Sequence, residues 1–290
     1  MTLTRRRFLT ISAALAWAPK EAAAAQWQGR AFGADISLTI RGGEEARAAL
    51  EEARTLIKQI EALFSLYDPE SALVRLNQTG ELSAPDPQFI ALMQAADDAY
   101  QLTRGLFDPT VQRLWQTIEQ GRQPQDHIRT IGWDRVQFDA DRILLGHGQA
   151  LTFNGIAQGY ATDKVTEVLH AHGLGDVLVN IGEHRALGGP WRLSLSDPDY
   201  GALGTRTLTT SAIATSSPMA TPFGVSGHIL HPVRKPQWST ISVEASSATL
   251  ADSLSTAMVL ANRDEIEAIR KEADISRVTL VDWDGDLKTL

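Results

Sequence analysis

The 290-residue sequence contains no cysteine, and that absence removes several classes of protein at once. Disulfides, thiolate metal centres, a cysteine nucleophile and a lipid-anchored N-terminal cysteine are all excluded. Positive charge is also short, with 27 lysines and arginines against 35 aspartates and glutamates and a net charge of −8. An acidic chain of this kind suits neither nucleic acid nor an anionic membrane surface. No Gly-x-Gly-x-x-Gly follows an expected strand, so any dinucleotide is not held in the Rossmann way. Neither Gly-x-Ser-x-Gly nor His-Glu-x-x-His occurs, which disfavours common hydrolases and zinc peptidases. No apolar run approaches the roughly 18 residues of a spanning helix. No long Gly/Ser/Pro linker, repeat or low-complexity tract divides the chain, which favours one domain.

What is present begins with an address. In "MTLTRRRFLTISAALAWAPKEAAAA" a basic stretch (Arg5, Arg6, Arg7) leads into an apolar run from Phe8 to Ala18 and an alanine-rich end. That pattern is an export signal, and "TRRRFLT" resembles the twin-arginine type. Residues 1–25 are expected to be removed, leaving residues 26–290 as a soluble periplasmic domain. Four basic residues and one acidic residue leave with the signal, which takes the net charge from −8 to −11.

Hydrophobic periodicity organises the rest as α+β, with antiparallel or mixed strands grouped around long helices. "RAFGADISLTI" reads as a first strand closed by "RGG". Ala46, Ala49, Leu50, Ala53, Leu56, Ile57, Ile60, Leu63 and Phe64 make one face of a helix. "LYDPESALVRLNQTGELSAPDP" reads as a loop before a helix near 88–103, and residues 105–120 as a turn and short helix. "VQFDADRILL" is a hairpin, and "IAQGYATDKVTEVLHAHG" a long helix stopped by Gly173. Strands are expected near 176–181, 191–196, 205–215, 228–230 and 239–245, followed by two helices and a hairpin.

Several stretches could carry chemistry. "ATLADSLSTAMVLA" (248–261) has an apolar stripe of Leu250, Leu254, Ala257, Met258 and Ala261, with Asp252 and Thr256 four apart on the other face. These two either face water or hold a hard cation through oxygen. "GLFDPT" places Asp108 before Pro109, the residues of a simple helix cap. "FNGIAQGYATD" is a glycine-bearing entry to a helix, where a phosphate is favoured. "VNIGEHRALGG" reads as a strand and glycine-rich turn. "SGHILHPVRKP" carries His228 and His231; on a strand they would face opposite sides and would not chelate one metal.

In order, "FGADISLTI", "LFSLYDPESALVRLN", "GLFDPTV", "FNGIAQGYATD", "LVNIGEHRALG", "IATSS", "HILHP" and "ATLADSLSTAMVL" resemble the ApbE-type flavin transferases. These enzymes move FMN from FAD onto a Ser or Thr of a target protein. The resemblance runs from about Phe32 to Ala261. It implies that Asp252 and Thr256 bind Mg²⁺ through side-chain oxygens and Gly155 through its carbonyl. It implies that Phe32 and Tyr67 line the flavin, and that Leu106, Phe107, Asp108, Thr152 and Gln158 contact FAD. His228 and Ile229 match the segment beside the pyrophosphate, and His228 or a carboxylate near the metal is the implied base. The implied fold is a single α+β domain with FAD in a cleft between helices and sheet. The implied partner is an acceptor protein with a Ser or Thr in a Ser/Thr-Gly-Ala-Thr-like motif, typically an electron-transfer protein.

The cleft departs from the family pattern in places. Gln158 stands where lysine is common and Thr152 where aspartate is common. "FNG" replaces a Gly-Gly turn, "GEH" (182–184) stands for Gly-Gly-Asp, and His231 replaces an acidic residue. "TSSPMATPF" departs from Thr-Ser-Gly and "RKP" from Arg-Thr-Gly. The expected function is an Mg²⁺-dependent FAD:protein FMN transferase; the alternatives are an FAD-binding accessory or storage protein and an FAD pyrophosphatase.

Overall fold

The computed structural model describes residues 24–41, 46–122, 125–221, 223 and 227–290. Residues 1–23 of the expected signal, with Gly42, Gly43, Pro222 and Ser226, lie outside the described residues.

The chain opens with β1 (Ala24–Ala31) and β2 (Ala34–Arg41), joined by Phe32-Gly33. The single strand expected over 30–40 is therefore a hairpin. Both turn residues take positive φ, 53° and 77°, as a two-residue hairpin turn requires. Phenylalanine hides that signal, and the Phe32 N–H is held instead by Glu61 Oε1 at 2.8 Å. Glu61 lies on α1 (Ala46–Phe64), which buries Ala46, Ala49, Ala53, Ile57, Ile60 and Phe64 of the expected stripe and leaves Leu50, Leu56 and Leu63 half-buried beside them. The expected loop after α1 contains α2 (Ala72–Thr79), which starts at the Ser71 cap and stops at left-handed Gly80. At eight residues it is too short to show periodicity.

Next come β3 (Glu81–Ser83), α3 (Pro87–Leu102), α4 (Gln112–Glu119), α5 (Gln125–Ile128), β4 (Gln137–Phe138) and β5 (Arg142–Leu144). The β4–β5 pair is the expected hairpin at "DAD". Then α6 (Ala157–Ala171) leads to β6 (Val177–Asn180), β7 (His184–Leu187), β8 (Trp191–Asp197), β9 (Gly201–Leu208) and β10 (Ala212–Ser216). The strand expected over 205–215 is two strands, broken at Thr210 with φ 48°. β11 (Thr240–Ala245), α7 (Ala248–Met258), α8 (Arg263–Glu272), β12 (Arg277–Val281) and β13 (Leu287–Thr289) complete the fold. No strand forms at 228–230; Gly227 at φ 79° and the prolines at 232 and 236 keep this stretch irregular. His228 and His231 thus lie on a loop, and the strand-face argument about them lapses.

Eight antiparallel strands form one sheet in the order β1-β2-β6-β7-β10-β11-β12-β13. α6 packs between α1 and α7, and α7 lies on β10 and β11. The large core fills the space between these helices and the sheet. The β8–β9 hairpin closes a smaller cluster around Trp191, Leu193, Leu195, Leu208 and Ile213. It is fastened by Arg206 to Glu244 (2.5 Å) and by Asp197 accepting from the Ser239 and Thr240 hydroxyls. No helix among the described residues is long and apolar enough to cross a membrane.

His184 sits in this sheet opposite Asn180 and Ile213, 1% exposed, with neither ring nitrogen hydrogen-bonded among the described residues. Burial pushes its pKa down to about 4. The unfolded chain therefore binds a proton there between about pH 4 and 6.5 that the native state refuses, and stability falls with pH across that window. His184→Met, close in size and without a charge to bury, is expected to gain thermal stability over the wild type as pH falls from 7 to 4.5. Between pH 7 and 8 the gain should stay constant, at the smaller value left by removing the unpaired ring nitrogens; thermal unfolding of both proteins at pH 4.5, 7 and 8 checks it.

Candidate functional site

α6 and α7 cross at a point that only glycine allows. A Cβ on Gly159 would lie 2.3 Å from the Ala248 carbonyl oxygen and 2.8 Å from Asp252 Cβ. The close approach lets the Gly159 N–H donate to Asp252 Oδ2 at 2.9 Å. α6 has no side-chain cap of its own at Ile156, so Asp252 serves as one from a neighbouring helix. Part of the helix start at which a phosphate was expected is thus already occupied. Asp163, one turn along α6, reciprocates. Its carboxylate accepts from the N–H groups of Ala248 and Thr249 and the hydroxyls of Ser247 and Thr249, and pairs with Arg185 at 2.5 Å. An acidic group at the start of α7 also suits the helix dipole.

This junction places Asp252 and Thr256 on one wall of a cavity. The reading in which both face water fails for Asp252, which is 4% exposed. Gly155 lies against Thr256, since a Cβ on it would be 2.7 Å from the Thr256 hydroxyl. Asp252, Thr256 and Gly155, far apart in sequence, line the same cavity. Ser216 Oγ bonds Ser255 Oγ at 2.8 Å and lies 3.3 Å from Thr256 Oγ1. A carboxylate, hydroxyls and a main chain free of side-chain bulk form an oxygen-only donor set, which fits Mg²⁺.

Leu106, Phe107, Asp108, Thr152, Gln158, His228 and Ile229 line the same cavity. Asp108 caps the helical turn Pro109–Val111 by accepting from the Thr110 N–H and hydroxyl, so its capping role and its place at the cavity coincide. Burial raises its pKa despite these bonds. Thr152 is tied back through its N–H to the Pro109 carbonyl. His228 Nδ1 lies 2.8 Å from the Pro218 carbonyl oxygen, so Nδ1 carries the proton and, in the neutral ring, Nε2 carries the lone pair. Phe32 and Tyr67 do not line the cavity: they gather at the C-terminal end of α1, where Tyr67 is 72% exposed.

Sequence reasoning placed Glu183 in the cleft without a role and missed Thr215, Ser217 and Trp115, all on the cavity wall. Glu183 follows Gly182, whose φ of 90° makes the β6–β7 turn, and accepts the Thr215 N–H through Oε2 at 3.1 Å. The signal that could have given it a role is an acid directly after an apolar strand and a glycine. Trp115 stacks on Phe223 with ring centroids 4.6 Å apart.

The electrostatics are lopsided. Asp108, Glu183 and Asp252 line the cavity, and among the described residues no lysine or arginine does. Burial pushes Asp252 up to about 7, its bond from Gly159 opposes that, and the Asp163 charge adds to it. Glu183 is held well above the carboxylate range by burial and by the Asp252 charge.

Comparison with known proteins bears on all of this. The ApbE family model matches residues 32–279. The FAD:protein FMN transferase of Treponema pallidum is 30% identical over 163 residues, 49% of this chain and 44% of that protein. The FAD:protein FMN transferase of Salmonella typhimurium is 27% identical over 292 residues, covering 84% and 81%. The flavin transferase ApbE from Vibrio cholerae superimposes with a TM-score of 0.81 at 22% identity, over 93% of this chain and 97% of that one.

Gly159→Ala tests the junction. An alanine inside a helix ordinarily adds about 0.5–1 kcal/mol of stability. Here the added methyl meets backbone, and a net loss of about 1–3 kcal/mol is expected from overpacking. Denaturant unfolding of the two proteins gives the sign directly.

Proposed function

This chain belongs to the ApbE family, and on that footing we propose that it is a magnesium-dependent FAD:protein FMN transferase that releases AMP. The observation that carries the reading is the cavity's charge: three carboxylates with no lysine or arginine beside them, next to an oxygen donor set. FAD brings an anionic pyrophosphate, which these carboxylates tolerate only when a proton or an accompanying cation neutralises them, and the oxygen donor set favours the cation. Asp252, Thr256 and the Gly155 carbonyl would hold that cation, which supplies charge stabilisation on the phosphate oxygens and the departing AMP.

The remaining steps belong to the protein. Leu106, Phe107, Ile229 and Thr152 present the surfaces against which FAD is oriented, and Gln158 offers an amide N–H to it. The acceptor hydroxyl oxygen attacks the phosphorus on the riboflavin side. The P–O–P bond breaks, AMP leaves, and FMN remains joined to the acceptor as a phosphoester. His228, held by Pro218 with its lone pair on Nε2, takes the hydroxyl proton. Phe32 and Tyr67 contact the flavin only if its ring reaches beyond the cavity to the end of α1. The first 25 residues support export by the twin-arginine route. The acceptor is then a periplasmic or membrane electron-transfer protein with a Ser/Thr flavinylation motif.

The test is one incubation of the protein with FAD, Mg²⁺ and a flavinylation-motif acceptor domain. The acceptor is expected to gain the mass of FMN in step with AMP release. His228→Ala should slow both by about 10²- to 10⁴-fold, and Asp252→Ala should abolish both. AMP without acceptor labelling would indicate an FAD pyrophosphatase. Retained FAD with neither product would indicate a flavin-holding accessory or storage protein.

A further inference from the structure

Glu183 is a second buried carboxylate in the cavity, and the transferase reading leaves it without a task. Its position is fixed from three directions. Oε2 accepts the Thr215 N–H at 3.1 Å, and its main-chain carbonyl accepts the Thr162 hydroxyl at 3.2 Å and the Ile181 N–H at 3.1 Å. The residue is 7% exposed, and the Asp252 charge acts on it.

Beside it lies Gln158, also 7% exposed, with its amide stacked over Gly182 so closely that a Cβ there would meet Nε2 at 2.4 Å. Gln158 Nε2 has no hydrogen-bond partner among the described residues, although its side chain lines the cavity. A buried amide donor left unpaired is costly, so a ligand oxygen is the natural partner for it. The region thus contains two buried carboxylates and a neutral amide with an unused N–H, and among the described residues no lysine or arginine lines it. Burying like charges together requires neutralisation, by a proton or by a cation, and among the described residues no lysine or arginine lines the cavity to supply it.

We propose that Glu183 is a further carboxylate ligand of the divalent cation at Asp252 and Thr256, with Gln158 donating to an oxygen in the same ligand shell. This rests on the cation reading given above. One consequence is that the site binds a hard divalent cation before FAD arrives, the cation displacing the protons that otherwise neutralise the two buried carboxylates. The cation is then part of the resting enzyme and does not depend on FAD to carry it in. A second consequence concerns residue 158. A lysine there would place an ammonium beside Glu183 and neutralise it internally, whereas glutamine leaves that charge to the metal.

The experiment titrates Mn²⁺ into the protein without FAD, read by electron paramagnetic resonance and calorimetry. The wild type is expected to bind Mn²⁺, and Asp252→Asn to lose that binding. Glu183→Gln keeps an acceptor for the Thr215 N–H and should weaken binding by about 10- to 100-fold. Its melting temperature in EDTA should be no lower than the wild type's. Gln158→Lys should also weaken Mn²⁺ binding, by charge competition alone. If Glu183→Gln binds like the wild type while Asp252→Asn does not, Glu183 is no ligand and the cation reading stands. If Asp252→Asn also binds like the wild type, the cation reading fails and this proposal with it. A wild type that binds no Mn²⁺ without FAD overturns the proposal, since the carboxylates would then be neutralised by a proton.

Discussion

The contact between α6 and α7 at Gly159 is the constraint on which the site depends. Without a side chain at 159 the two helices approach until one carboxylate on each serves the other's start. Asp252 caps α6 and Asp163 caps α7, while Arg185 ties Asp163 to the sheet. The arrangement fixes Asp252 in depth and rotation, and Thr256, one turn later, follows it to the cavity wall. A ligand residue held by its own structural hydrogen bond loses little freedom when it binds.

The same close packing creates an electrostatic cost. Asp252 and Glu183 are buried near one another, both titrate high, and the cavity has no lysine or arginine to offset them. The protein accepts this cost at the position where an anionic dinucleotide and a hard cation would meet. Sites that give up local stability for chemistry commonly look like this. His184, one residue from Glu183 but on the hairpin side of the sheet, is buried with neither ring nitrogen hydrogen-bonded among the described residues.

Much of the fold was legible in the sequence because its helices are long and amphipathic. The stripe on α1, the helix stopped by Gly173 and the spacing of Asp252 and Thr256 are all local patterns that survive folding. Periodicity alone misjudged α7, however. It lies between α6 and the sheet, so Asp252, on the face opposite the apolar stripe, is buried as well. The Phe32-Gly33 turn was hidden because a bulky residue occupies a conformation usually marked by asparagine or aspartate. The roles of Asp163 and Glu183 were missed for a different reason. Asp163 bonds residues about 85 positions away, so no local pattern marks its role, and Glu183 bonds Thr215, 32 positions on, so the glycine before it marks a turn but not the partner. The ordered series of short motifs, from "FGADISLTI" to "ATLADSLSTAMVL", pointed to the family that the matched residues 32–279 establish.

The most direct test of the account is a crystal structure of the protein with Mn²⁺ and FAD, with the metal located by its anomalous signal. The account requires one Mn²⁺ at about 2.0–2.2 Å from oxygens of Asp252 and Thr256, with the Gly159–Asp252 bond intact and the pyrophosphate on the metal's open side. Manganese bound elsewhere, or FAD seated with its phosphates away from Asp252, would contradict it.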